Sequence, residues 1–199
     1  YKSFCGNPQS EVHSYLIEIQ SYGNTTFDSK PFYEANQLVR LAPEGTPRFV
    51  NNDLSYAFYN ASSFNQNIDF WDTSNITDMS YMFYKASSFN QPLNSWDTSN
   101  VTNMSYMFYE ATNFNQPLDS WNVSKVTDMS YMFKGVTSFN QPLNSWDVSS
   151  VTSMHCMFRE TSFNQPLDSW DTSNVTDMSY MFQDVTSFNQ PLNSWNVSK

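Results

Sequence analysis

The residues of this chain that could do chemistry are mostly serine and aspartate, and they recur at fixed positions. In the segment 95–99, which reads Ser-Trp-Asp-Thr-Ser, polar side chains occupy alternate positions. If Trp96 points inward from a strand, then Ser95, Asp97 and Ser99 point outward on one face. Such hydroxyl and carboxylate groups could bind a repetitive ligand or calcium, or the face could simply be solvated. The candidate binding residues are Asp72, Ser95, Asp97, Ser99, Ser120, Asn122, Ser145, Asp147, Ser169, Asp171 and Asn196.

Catalysis finds no support in the sequence. The histidines are His13 and His155, and the cysteines are Cys5 and Cys156. His155 and Cys156 are adjacent in the chain, whereas a catalytic Cys–His pair meets through the fold. Cys156 stands where five other repeats have Tyr, so we interpret it as a neutral substitution, with a disulfide to Cys5 as the alternative. No phosphate-binding loop, zinc-ligand spacing or nucleophile elbow is present, and we predict a protein that is not an enzyme.

An internal repeat positions the candidate residues. Trp96, Trp121 and Trp146 lie 25 residues apart, and the ten methionines occur as pairs three residues apart, such as Met104 and Met107. A fixed period of this size predicts a solenoid of stacked coils. The tryptophans mark one position in successive repeats: Trp71, Trp96, Trp121, Trp146, Trp170 and Trp195.

Two patterns occur within each repeat. From Val101 to Phe114 successive apolar residues are separated by three, three, one, three and three positions, which predicts a short helix or helical turn. Leu93, Trp96 and Thr98 have the Leu-x-x-Leu-x-Leu spacing of leucine-rich-repeat strands. We therefore predict an α/β fold, namely a leucine-rich-repeat-like solenoid with one short parallel strand and one short helix or helical turn per coil.

Stacking such repeats would place identical residues above one another. The most regular polar column is predicted to be an asparagine ladder whose amides satisfy buried backbone groups of turns. A tyrosine column is predicted to point outward on the helical side, either as an interaction stripe or as simple packing. The asparagines are Asn65, Asn90, Asn115, Asn140, Asn164 and Asn189, and the tyrosines are Tyr81, Tyr106, Tyr131 and Tyr180.

The chain divides into two parts. Residues 1–50 do not repeat, and we predict that they form an N-terminal cap over the first coil, with a separate small domain as the alternative. Residues 12–19 alternate in polarity and predict a strand. Residues 51–199 are predicted to form a repeat solenoid of about six coils. The sequence stops within a repeat, so we expect the natural protein to continue beyond Lys199.

Charge and composition narrow the classes of partner. The formal net charge is −10 and the basic residues do not cluster, so nucleic acid and anionic membrane surfaces are poor partners. No apolar run reaches the roughly 20 residues that a membrane-spanning helix needs. Aromatic residues make up 18% of the chain, which is enough to build a core from Phe and Trp and argues against disorder.

Several asparagines lie in Asn-x-Ser/Thr motifs and are candidate glycosylation sites in a secreted protein. The repeat itself generates most of these motifs, so their number is weak evidence for secretion. They are Asn24, Asn60, Asn75, Asn100, Asn103, Asn122, Asn174 and Asn196.

The repeat resembles that of a known family. Its sequence Phe-Asn-Gln-Pro-Leu-x-Ser-Trp-[Asp/Asn]-[Thr/Val]-Ser-x-Val-Thr-x-Met-Ser-Tyr-Met-Phe is similar to the repeat of BspA-like surface proteins. The resemblance covers about residues 51–199. It implies a divergent leucine-rich-repeat solenoid at the cell surface, with adhesion or the binding of host and matrix components as its role. It supplies no catalytic residues.

These observations favour an extracellular or cell-surface, non-catalytic binding or adhesion module that presents polar columns to a protein or glycan on another cell or matrix. We expect no cofactor, apart from calcium as an open possibility. One alternative is a lattice that binds glycans with calcium, or that binds ice. Another alternative is a purely structural spacer in a longer repeat array.

Overall fold

The structure is a computed structural model that describes residues 26–27, 30, 32–35, 41 and 47–196. The strand predicted for residues 12–19 lies outside the described residues, as do Cys5, His13 and Asn24. The first described elements are two strands, β1 (Thr26–Phe27) and β2 (Arg48–Phe49), which pair in parallel. A 3₁₀ helix follows at Val50–Asn52.

From residue 53 onward, successive repeats touch through single parallel β-bridges. The bridged positions are one repeat apart, and each residue contacts its equivalent in the repeat before and the repeat after. This continuity shows that like residues lie above one another. The bridges join Asp53 to Asp78, Asp78 to Asn103, Asn103 to Asp128, Asp128 to Ser153, and Ser153 to Asp177.

The segment 79–86 shows how the backbone connects one repeat to the next. Alternate N–H groups donate to carbonyls one repeat further along, as Tyr81 N does to Ser105 O at 2.9 Å. The N–H groups between them close turns inside the segment, as Tyr84 N does to Tyr81 O at 3.1 Å. The backbone therefore divides its donors between local turns and the neighbouring repeat, and few are left without an acceptor.

This division accounts for the absence of an α-helix among the described residues. Tyr81 has φ 57° and Lys85 has φ 55°, so the backbone leaves the right-handed helical region at both positions. Such angles are unfavourable for residues other than glycine, so the bonds between repeats must stabilise them. The two left-handed columns are Tyr56, Tyr81, Tyr106, Tyr131, Cys156 and Tyr180, and Asn60, Lys85, Glu110, Gly135, Glu160 and Asp184.

The segment predicted as a strand also has a different local structure. Residues 93–96 form a turn, closed by Trp96 N donating to Leu93 O at 3.3 Å, and the parallel bridges lie in the segment that follows. Leu93, Trp96 and Thr98 nevertheless point inward and are buried. The predicted leucine-rich-repeat-like class stays a prediction, which a deletion described below tests.

The core consists of aromatic columns that run through the repeats. Phe108 is fully buried, and its ring centroid lies 5.4 Å from that of Phe83 and 5.6 Å from that of Phe133. A second phenylalanine column packs beside it, with Phe114 only 4.1 Å from Phe108. Phe108 thus contacts rings in its own repeat and in both neighbours, and no repeat could bury these faces by itself. The columns are Phe58, Phe83, Phe108, Phe133, Phe158 and Phe182, and Phe64, Phe89, Phe114, Phe139, Phe163 and Phe188.

The tryptophan column combines burial with hydrogen bonding. Trp121 is 3% exposed, and its indole Nε1–H donates to Leu93 O in the preceding repeat at 3.0 Å. The same bond recurs at the next repeat, where Trp146 donates to Leu118 O at 2.8 Å. Because a buried N–H needs an acceptor, each indole fixes the position of the neighbouring turn.

The fifth repeat is one residue shorter than the others, between Phe158 and Phe163. In the third repeat the equivalent segment uses Ala111, whose N–H donates to Phe108 O at 2.9 Å. In the fifth repeat the Thr161 hydroxyl takes this place and donates to Phe158 O at 2.7 Å. A side-chain bond thus closes the shortened turn and keeps both phenylalanine columns in line.

The few described residues before the repeats lie on the first coil. Phe32 N donates to Ala57 O at 3.0 Å, and Glu34 N donates to Tyr59 O at 2.7 Å. The Tyr33 ring stacks on Tyr59 with centroids 4.8 Å apart. Residues 32–34 therefore cover part of the end of the stack, while the predicted cap as a whole, residues 1–50, stays a prediction.

The asparagine ladder is present in the structure. The Asn115 Oδ1 atom accepts a hydrogen bond from Asn140 N and a second from Gln141 Nε2, both at 3.0 Å. Asn115 N in turn donates to Asn90 Oδ1 at 3.0 Å. The side chains are half-buried or exposed rather than buried, because they lie on the outer side of the turns.

We expect Asn115→Ala to reduce the free energy of unfolding by about 1–2 kcal/mol, since two hydrogen bonds to Oδ1 are lost. Asn115→Asp keeps an acceptor oxygen at the same place, so its free energy of unfolding should fall by less than half of the decrease expected for Asn115→Ala. Urea denaturation of both variants measures the difference. Equal losses would show that the hydrogen bonds of the ladder contribute little.

Candidate functional site

The candidate binding residues lie together on one side of the stack. Ser95 and Asp97 are exposed while Trp96 and Thr98 on either side of Asp97 are buried, so the side chains alternate between solvent and core. Ser99 is half-buried. We call this surface the polar face, and its exposed residues are Asp72, Ser95, Asp97, Ser120, Asn122, Ser145, Asp147, Ser169, Asp171 and Asn196.

The acidic column of the polar face is fixed by short local turns. Asp97 Oδ1 accepts a hydrogen bond from Ser99 N at 2.9 Å. Asn122, at the same position one repeat later, accepts from both Ser124 N at 3.1 Å and Ser124 Oγ at 2.7 Å. In each turn one side-chain oxygen accepts these hydrogen bonds, and in the aspartates the second carboxylate oxygen is left toward solvent. Hydrogen bonds from Ser99 also lower the pKa of Asp97, so the carboxylate is ionised at neutral pH.

The serine hydroxyls of the polar face also form hydrogen bonds within the protein. Ser95 Oγ donates to Asp69 Oδ2 at 2.8 Å, and Ser145 Oγ donates to Asp119 O at 3.0 Å. These bonds join each repeat to the preceding one. The hydroxyls are therefore engaged within the protein, and the groups on this face that are presented to a ligand are mainly the carboxylates and amides.

The structure adds a second column that the sequence reasoning did not select. Its residues precede the serines of the polar face, and acid and amide alternate strictly from repeat to repeat. Asn144 Nδ2 donates to Asp168 Oδ1 at 3.1 Å, so the amide bridges to the carboxylate beside it. The alternation of Asp and Asn in the sequence could have identified this column. The column is Asp69, Asn94, Asp119, Asn144, Asp168 and Asn193.

Metal binding on these columns gains no geometric support. Among the residues that the structure describes, no three His, Cys, Asp or Glu side chains are grouped so that they could hold a metal ion. Calcium also takes amide, carbonyl and water oxygens, so calcium binding on the polar face stays a prediction.

The candidate glycosylation sites differ in how their amide nitrogens are used. Asn100 Nδ2 donates to Ser74 O at 2.9 Å, and Asn174 Nδ2 donates to Ser149 O at 2.7 Å, so a glycan on either nitrogen would replace one of the two hydrogens available for a bond between repeats. Asn60 and Asn103 are half-buried. The sites whose side chains are exposed are Asn75, Asn122, Asn174 and Asn196.

A different surface carries tyrosines in two stacked columns. The Tyr81 and Tyr106 rings lie 4.5 Å apart and nearly parallel, and the Tyr84 and Tyr109 rings lie 4.6 Å apart beside them. Partial burial in this stack raises the pKa of Tyr84 to about 12. The sequence pointed to the first column but not to the second. We call this surface the tyrosine face, and it comprises Tyr33, Tyr56, Tyr59, Tyr81, Tyr84, Tyr106, Tyr109 and Tyr131.

The tyrosine face is interrupted in the fifth repeat by His155 and Cys156. Although these residues are adjacent in sequence, the Cys156 Sγ atom lies 3.4 Å from His155 Nε2. Cys156 is a free thiol and is 1% exposed, while the His155 side chain is 23% exposed. The thiol is thus beside a base but is shielded from solvent. The sequence argument that set this pair aside was wrong about the geometry.

The stacked coils and their in-register columns define a repeat protein. The chain belongs to the family described as Mycoplasma protein of unknown function, DUF285, whose model matches residues 52–162 and 116–199. No curated protein matches the chain. Within the described part of the chain, no helix is long and apolar enough to cross a membrane.

Proposed function

We propose that this protein is a non-catalytic binding or adhesion module at the cell surface, and that the polar face contacts a protein or glycan partner. The observation that carries the proposal is the acidic column. Asp97, Asp147 and Asp171 each accept a hydrogen bond from a serine N–H two residues on, at 2.9–3.1 Å, and each is exposed. A rigid row of similarly held groups suits a partner that repeats along its own length, because little side-chain entropy is lost on binding.

Family membership supports the surface location. The DUF285 family is found in BspA-like surface proteins, and the repeat sequence resembles theirs. We therefore infer the finer assignment, a BspA-like leucine-rich-repeat protein outside the cell. The partner is inferred from chemistry: donors such as glycan hydroxyls, protein amides or lysine side chains would complement the carboxylates.

The triple variant Asp97→Asn, Asp147→Asn and Asp171→Asn tests the role of the carboxylates. Asparagine already occupies this column at Asn122 and accepts the same turn bonds, so the fold should be retained. The wild-type protein is first screened on an array of immobilised glycans and matrix proteins. For the partners found, we expect the Kd of the variant to rise about tenfold or more, as the loss of one charge-assisted hydrogen bond of about 1.5–3 kcal/mol would produce.

The matched control removes the same number of charges beside the tyrosine face, where Glu110 and Glu160 pair with Lys85 and Lys134, which lie over Tyr84 and Tyr109. Glu34→Gln, Glu110→Gln and Glu160→Gln alter net charge equally but leave the polar face intact, and this variant should bind like the wild type. Equal weakening in both variants would indicate a response to net charge alone. Unchanged binding in the aspartate variant would remove the polar face as the site, and a wild-type protein that binds nothing on the array would favour the structural spacer.

A further inference from the structure

One hydrogen-bonded chain crosses three repeats at the interruption of the tyrosine face. The Tyr131 hydroxyl lies 2.8 Å from His155 Nε2, and His155 Nδ1 lies 2.6 Å from Ser179 Oγ. Ser179 Oγ donates to Asp177 Oδ1 at 2.5 Å. The second oxygen of Asp177 is 3.6 Å from His155 Nδ1. In the other complete repeats from residue 55 on, serine occupies the position of His155, so this arrangement belongs to one place in the molecule.

The partners of the imidazole fix where its proton lies. Hydrogen bonds from Ser179 lower the pKa of Asp177, so this carboxylate is ionised and can only accept. The Ser179 hydroxyl proton is therefore directed to Asp177, and Ser179 Oγ accepts from His155 Nδ1–H. In the neutral tautomer that carries its proton on Nδ1, His155 Nε2 accepts the hydrogen bond of the Tyr131 O–H group. The imidazole is held as a base toward this phenol.

Tyr131 is also the last member of a stack of aromatic rings. Its centroid lies 4.4 Å from that of Tyr106, and the rings of Tyr81 and Tyr56 continue the stack at 4.5 Å and 4.6 Å. On its other side the His155 ring meets it edge-on at 4.9 Å. The rings of this column are in van der Waals contact, and among the residues that the structure describes only Tyr131 has an imidazole on its hydroxyl.

We propose that Tyr131 and His155 form a redox-active tyrosine–imidazole site that reacts with small one-electron oxidants. A phenol loses an electron readily only if its proton leaves as well, because the oxidised phenol is a very strong acid. The proton acceptor is already in place at 2.8 Å, which is within the distance required of a general base.

The reaction balances with the groups named. One electron passes from the Tyr131 ring to the oxidant, for example an azide radical, which becomes azide. The phenolic O–H bond breaks and its proton moves to His155 Nε2. The products are a neutral tyrosyl radical and an imidazolium whose charge is stabilised by Asp177. Cys156 Sγ approaches the same nitrogen but at 3.4 Å and as a weaker donor, so the phenol is the favoured proton donor.

Pulse radiolysis with azide radicals, followed by transient absorption of the tyrosyl radical, tests this site. The wild type should show a fast phase of tyrosyl formation. His155→Ser restores the residue of the other repeats and should slow that phase about a hundredfold, the lower end of what a positioned general base contributes. Tyr131→Phe keeps the stacked ring and removes the hydroxyl, so it should abolish the fast phase. Tyr106→Phe is the control, since this hydroxyl has no imidazole beside it, and it should retain the fast phase.

A fast phase that persists in His155→Ser would overturn the proposal. Loss of the phase to the same extent in Tyr131→Phe and Tyr106→Phe would also overturn it, because the stack as a whole would then be responsible. Near-ultraviolet circular dichroism checks that each variant is folded. If His155→Ser does not fold, the comparison of the two phenylalanine variants still decides the question.

Discussion

Deleting residues 101–125 should leave a folded protein that is one coil shorter. The deletion joins Asn100 to Val126, which is the same junction that Asn100 makes with Val101 in the intact chain. Met79 N, which donates to Asn103 O at 3.0 Å, would then meet Asp128 O in its place. Because each coil contacts only its neighbours, we expect native-like near-ultraviolet circular dichroism and a lower midpoint of unfolding.

The control removes about half a coil. Deleting residues 101–113 joins Asn100 to Phe114 and removes the turn segment that carries the Met and Phe side chains of that coil. Every column would then be out of register at this point, and we expect loss of cooperative unfolding. If both deletions unfold the protein, or if both are tolerated, the stacked architecture and the predicted leucine-rich-repeat-like class would both be contradicted.

Phe108→Ala should be among the most destabilising single substitutions. The side chain is fully buried and contacts rings in its own repeat and in both neighbours. Truncating such a phenylalanine costs about 3–5 kcal/mol, through lost burial and the cavity that remains. Guanidinium denaturation monitored by tryptophan fluorescence measures the effect, since all the tryptophans lie in the repeats.

Phe182→Ala is the matched comparison, because Phe182 occupies the same column but is only partly buried. It packs on Phe158 at 5.8 Å and Phe188 at 4.2 Å, with less of its surface removed from water. We expect Phe182→Ala to lower the free energy of unfolding by about half as much as Phe108→Ala, in proportion to the buried area of the side chain. If the two variants lost equal free energy of unfolding, contacts between coils would contribute no stability beyond that of burial within one coil.

Side-chain spacing was enough to predict which residues form columns. The 25-residue period of the tryptophans placed Trp96, Trp121 and Trp146 in one buried stack, and the structure has them there. The asparagine ladder followed from the same period. These predictions succeeded because identical residues one repeat apart occupy equivalent environments whatever the local backbone does.

Local backbone structure could not be predicted in the same way. The Val101–Phe114 spacing predicts a short helix or helical turn; the segment consists of turns, and Tyr106 and Glu110 have φ values of 57° and 51°. The spacing of apolar residues indicates which side chains face the core. A series of turns can direct the same side chains to the core as a helix would. What decides between them is the hydrogen bonding to the next repeat, which involves residues distant in sequence.

The candidate site was also predicted only in part. Asp97 is exposed as expected, but the bonds from Ser95 to Asp69 and from Ser99 to Asp97 depend on turn geometry that the sequence does not reveal. The contact between Cys156 and His155 was missed for the same reason. Adjacent side chains usually diverge, and at Cys156 the backbone is left-handed, with φ 54°.

The alternation of acid and amide in the column from Asp69 to Asn193 has a consequence for how such a protein can change in length. Duplicating a single coil that carries aspartate would place two carboxylates directly over each other, whereas duplicating two neighbouring coils together keeps acid and amide in alternation. Growth in pairs would hold the repulsion along that row constant, since like charges in direct contact are destabilising. A single added coil should therefore be easier to accommodate when it carries asparagine at this position than when it carries aspartate.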